Sequence, residues 1–132
     1  MYFAKKMQEE ALINDKRKTR RLRAPKDFEV AFKKGKFFPR IGSGSGRDIS
    51  MEGMRFSTTA RLKIKDPLSI KLHFSPKFPG QKQIQLKAVV ARIQKSKRSG
   101  QYRVGCRFQT LDAIAQETIW QFLWWLDFSE KS

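Results

Sequence analysis

Apolar and polar residues alternate along most of the chain, and near the C-terminus the period lengthens to that of a helix. Phe28, Val30 and Phe32 make a first strand, and a second carries Asp48 and Ser50 and continues through Met54 and Phe56. Leu68, Ile70, Leu72 and Phe74 alternate cleanly with polar neighbours, so all four leave one face of a half-buried strand. Ile84, Leu86 and Ala88 keep one phase, whereas Val89, Ala91 and Ile93 keep the other. That change predicts a bulge, or a strand buried on both faces. Tyr102 to Phe108 returns as the last strand after a polar hairpin connection from Lys95 to Gly100. From Thr110 onward, Ala115, Ile119, Phe122, Leu123 and Leu126 recur at helical spacing, with Thr110 or Asp112 available as N-cap. Short strands followed by one helix predict a mainly β protein, a small antiparallel barrel closed by a C-terminal α-helix.

The remaining segments read as connections. Phe3, Met7 and Ala11 predict a short amphipathic N-terminal helix within residues 1–15. Residues 16–24 form a basic linker, charged at six of the eight positions from Lys16 to Arg23, and Pro25 ends any helix there. The barrel then spans 25–109 and the C-terminal helix 110–132. Lys33 to Gly46 reads as a loop, and its repeat Gly42-Ser43-Gly44-Ser45-Gly46 as a flexible connector, native or engineered. Trp120, Trp124 and Trp125 do not share one helix face with Ile119 and Phe122. They imply either packing against the N-terminal helix or a surface for a partner or self-association.

Composition narrows the chemistry. At 132 residues the chain is one domain, able to bury a core without disulfides or metals. One cysteine and one histidine provide neither an internal disulfide nor a metal-binding set. Cys106 alternates in phase with Val104 and Phe108, as a buried structural thiol does. Asp48 and Ser50 have no histidine base, and His73 has no motif around it, so the expectation is no enzyme and no cofactor. No apolar run reaches the length of a membrane span, and no signal-like core precedes the first strand, which points to the cytoplasm. The formal net charge of +17 goes beyond what solubility needs and favours an anionic partner.

Two short motifs give that charge a direction. Arg17-Lys18-Thr19-Arg20-Arg21 brackets three residues between arginines, and Asp48-Ile49-Ser50-Met51-Glu52-Gly53 sets a carboxylate, a hydroxyl and a glycine at fixed offsets. In this order, and followed by Tyr102-Arg103-Val104-Gly105-Cys106-Arg107-Phe108, they resemble the PilZ domain family from roughly Lys16 to Phe128. The resemblance implies a six-stranded antiparallel barrel and binding of cyclic di-GMP, a bacterial second messenger with two phosphates and two guanines. It also implies roles residue by residue. Arg17 and Arg21 would contact guanine and phosphate, flanked by Arg20 and by Lys16, which stands where many members carry another arginine and loses bidentate geometry. Asp48 would accept from guanine N–H groups or restrain an arginine, Ser50 would supply a small hydrogen-bonding group, and Gly53 would leave clearance for the ligand. The expected outcome is a switch: the dianion neutralises the basic run, wraps it onto the barrel and alters a partner surface. The rival reading is a nucleic-acid-binding barrel that uses charge together with Tyr102 or Phe108 as stacking platforms.

Overall fold

A computed structural model of the chain describes residues 22–25, 27–35, 40–97 and 99–131. The predicted N-terminal helix and Lys16, Arg17, Arg20 and Arg21 lie outside them. The elements are β1 (Leu22–Arg23), β2 (Glu29–Lys34), β3 (Arg40–Ile49), β4 (Gly53–Thr58), β5 (Pro67–His73), β6 (Gln83–Lys95), β7 (Tyr102–Phe108) and α1 (Ala113–Lys131). All pairings are antiparallel, in the order β3-β2-β5-β6-β7-β4, and β4 returns to pair with β3. Six strands therefore close into a barrel, which leaves no open edge among them. The short β1 attaches to the far end of β3, with Leu22 opposite Ile49 and Arg23 opposite Asp48. The segment read as linker thus ends in a strand, and its Leu22 is buried.

The glycine-serine run is not a connector. It lies inside β3, where Ser43 pairs with Ala31 and Ser45 with both Glu29 and Ser57. Its glycines answer a packing need. A Cβ on Gly42 would collide with the ring of Phe32, one on Gly46 with the ring of Phe28, and one on Gly44 with the Ser57 carbonyl oxygen. Aromatic rings from β2 and from the residue just before it thus lie over bare backbone, and the core is filled across the strand rather than from it. Ser43 and Ser45 point outward, and the Ser43 carbonyl accepts a hydrogen bond from Thr58 Oγ1 at 2.7 Å. Overpacking of this kind typically costs about 1–3 kcal/mol. Gly46→Ala is therefore expected to lower the melting temperature measurably in a circular-dichroism melt, and an unchanged melt would refute the ring-over-glycine account.

The strand read as running from Asp48 through Phe56 is a tight hairpin, with β3 and β4 on either side of a turn at residues 50–52. The predicted irregularity in β6 is a bulge opposite β7 between Val90 and Arg92. Ile84, Leu86, Ala88 and Val90 all face the core, so the phase breaks later than the side-chain pattern alone places it.

α1 plugs one end of the barrel. Asp112 caps it, its Oδ1 accepting from the Ala115 N–H at 2.7 Å. Asp112→Ala should cost about 1 kcal/mol, readable in denaturant unfolding. Phe122 is fully buried, with ring centroids 5.2 Å from Phe28, 4.6 Å from Phe74 and 5.2 Å from Phe78. Trp125 covers the same cluster from outside, 5.6 Å from Phe78 and 5.8 Å from Phe122. Trp120 is buried within the chain, so of the three tryptophans it belongs to the core. Trp124 stacks toward Phe128, with centroids 6.0 Å apart. No helix among the described residues is long and apolar enough to cross a membrane.

Candidate functional site

Asp48 sits one residue before the end of β3, directly opposite Arg55 on β4 and Arg23 on β1. A bulge between Gly46 and Asp48 shifts the register at this point. Bulges re-aim side chains. Here the Asp48 carboxylate meets the arginine across the hairpin: Arg55 Nε donates to Asp48 Oδ2 at 2.6 Å, and Nη2 forms an ion pair with the same oxygen. That hydrogen bond raises the Arg55 pKa above its ordinary value, partial burial opposes the rise, and attraction to the Asp48 charge adds to it. Asp48 is nearly buried, whereas 44% of the Arg55 side chain remains exposed. One end of the guanidinium is thus held while the rest faces outward, as suits a donor positioned for an anion or a base edge.

Around this pair lies an open depression of about 720 Å³, lined by Arg23, Ala24, Pro25, Ser45, Gly46, Arg47, Asp48, Arg55 and Arg103. Four arginines and one carboxylate give it a strong positive bias. Sequence reasoning counted Arg23 only within the basic run and missed Arg47, Arg55 and Arg103 as members of this group. They come from four strands, and only pairing brings them together. Arg55 alone left a signal, because a turn at residues 50–52 places it across from Asp48.

The other two motif residues serve the hairpin. The Ser50 N–H donates to the Gly53 carbonyl at 2.9 Å, and its Oγ accepts from the Glu52 N–H at 3.2 Å. Ser50 is buried in this turn. Gly53 starts β4 against β7, where a Cβ would collide with the Cys106 carbonyl oxygen. Bare backbone at Gly53 therefore lets β7 close on β4, and the turn that follows from it sets Asp48 opposite Arg55. Phe108 is buried and Tyr102 half-buried, so β7 presents no exposed row of stacking rings. No cluster of metal-ligating side chains occurs among the described residues.

The family model of the PilZ domain matches residues 15–124 of the chain. No curated protein sequence matches it. Among solved structures, the chain is similar to MrkH of K. pneumonia in its apo state (TM-score 0.70, 20% identity, covering 85% of this chain and 51% of that one). It is similar to the inhibitor of motility MotI/DgrA of Bacillus subtilis (TM-score 0.68, 16% identity, 86% and 53%). It is also similar to the PilZ domain of Escherichia coli YcgR, solved with c-di-GMP (TM-score 0.63, 15% identity, 85% and 92%). The chain thus spans about half the length of the first two, and at these identities the likeness is one of fold.

Proposed function

From the premise that this chain belongs to the PilZ domain family, matched over residues 15–124, we propose that it is a cytoplasmic receptor for cyclic di-GMP. The ligand is held between the basic segment and the barrel. The observation that carries this reading is the register of β1: Arg23, the last residue of the basic run, pairs with Asp48 and lines the arginine-rich depression. The ligand's two phosphates and two guanines match that composition. A guanidinium pairs with phosphate oxygens, stacks on a base, or donates two hydrogen bonds to guanine O6 and N7. In this reading Arg17 and Arg21 supply such contacts, with Arg20 and Lys16 adding charge. Arg55, held by Asp48, is the fixed donor, and Arg47 and Arg103 flank it. Ser50 and Gly53 shape the turn that keeps Asp48 in place.

Binding acts as a switch rather than a reaction. The dianion neutralises the basic run, draws it onto the barrel and repositions the residues that precede it. Those changes alter how the outward side of α1 meets a protein partner. Isothermal titration with cyclic di-GMP, with GTP and a short single-stranded DNA as controls, tests the reading. Saturable heat with the dinucleotide alone, lost in Arg21→Ala, is the expected result. Salt-sensitive DNA binding with no dinucleotide heat would overturn it.

A further inference from the structure

The end of the barrel opposite α1 has a character of its own. Three pairs of strand ends meet there, those of β2 and β3, of β4 and β5, and of β6 and β7. Lys34 pairs with Arg40, Thr58 with Tyr102, and Tyr102 with Lys95, so all three pairs end on the same side. Each pair is joined through a residue with positive φ: Gly35 at 96°, Lys65 at 76° and Gly100 at 68°. Lys65 is the only non-glycine of the three, a lysine kept where glycine would be less strained.

Charge and apolarity coincide on this end. Arg61, Lys63, Lys65, Lys95 and Lys97 are exposed there. Asp66 is the sole acidic residue of these loops, and Lys34 Nζ holds it at 2.8 Å. Ile41 is 74% exposed and Ile64 59%, two of the four large apolar side chains that stand out from the described surface.

We propose that this loop end is a docking surface for an anionic phospholipid membrane, with the lysines meeting the headgroups and Ile41 and Ile64 entering the interface. Two physical features favour a bilayer over a nucleic acid. Isolated aliphatic side chains projecting among lysines gain free energy from an acyl boundary and nothing from a phosphodiester backbone. The cations are mostly lysines, which add roughly equal electrostatic increments at an anionic surface, without the forks and rings that read bases. Asp48 lies seven residues from Ile41, about 23 Å along β3 at the rise of an extended strand. Ile41 therefore lies well away from the Asp48–Arg55 pair, while the depression extends along β7 to Arg103, next to Tyr102 at the loop end.

Co-sedimentation with phosphatidylcholine vesicles, with and without phosphatidylglycerol, tests this surface at low and physiological salt. Partition into the anionic vesicles alone is expected, weakened more than about tenfold by the double variant Lys63→Glu/Lys65→Glu. Ile41→Ser/Ile64→Ser, which leaves net charge unchanged, should weaken it by about tenfold. The wall variant Arg107→Glu, paired with Lys77→Glu toward the α1 end, makes the same charge change away from the loops and from Ile41, and should have a much smaller effect. Both loop variants replace exposed side chains and should melt at the wild-type temperature. Failure to bind anionic vesicles would overturn the proposal. So would equal losses from the wall variant, which would mean diffuse charge. Tighter binding to duplex DNA, indifferent to the isoleucine variant, would instead make this a nucleic-acid face.

Discussion

Cyclic di-GMP titrated into an Asp48→Ala protein is expected to bind about 100-fold more weakly than to wild type. The substitution removes a carboxylate and unhooks Arg55 from the Nε and Nη2 contacts that aim it. Hydrogen bonds to charged groups are worth about 1.5–3 kcal/mol each, and 2.7 kcal/mol corresponds to about 100-fold. The sign of the effect is diagnostic. Removing one negative charge takes the formal net charge from +17 to +18. If diffuse attraction drove binding, affinity for a dianion would rise. A loss therefore identifies geometry, and a gain would sink the assignment of Asp48 to the site. Asp48→Asn keeps an acceptor but no charge and should fall between the two. The backbone pairing of Asp48 with Arg23 and Arg55 does not depend on its side chain, so the variant should retain a wild-type far-ultraviolet spectrum.

Phe122→Ala is expected to destabilise the fold by about 3–5 kcal/mol. Its ring is fully buried and touches Phe28, Phe74, Phe78 and Trp125, which belong to three separate stretches of chain. Truncation leaves a cavity bounded by rigid rings that cannot collapse into it. Against a total stability of about 5–15 kcal/mol, the loss is a large fraction. For a domain of this size it should appear as a drop of roughly 10–20 °C in melting temperature. Phe122→Leu, which keeps most of the volume, should lose far less. A Phe122→Ala protein melting within a few degrees of wild type would mean that α1 is not the plug the packing indicates.

Much of this molecule could be read in one dimension. The alternation of Phe28, Val30 and Phe32, of Leu68 to Phe74, and of Tyr102 to Phe108 is local, because a strand with one wet face must alternate. The helical spacing from Ala115 to Leu126 and its Asp112 cap are local for the same reason. β3 was illegible because its inward positions are glycines. The apolar signal that would mark the strand sits instead on Phe28, Phe32 and Phe56 of its neighbours. A glycine-serine repeat has the composition of a linker, and only the rings over it make it a strand.

The site divides along the same line. Asp48, Ser50 and Gly53 stand out in sequence because a tight hairpin turn fixes their spacing within six residues. Their division of labour does not, since Gly53 is set by the Cys106 carbonyl and Ser50 by the turn. Arg23, Arg47, Arg55 and Arg103 are ordinary surface residues until β1, β3, β4 and β7 are laid side by side. Sequence by itself determined the strand and helix periods, the net positive charge and the motif that pairs an acid with a turn. Tertiary structure decided which cations face that acid, because strand register brings distant residues together, and no local pattern encodes it.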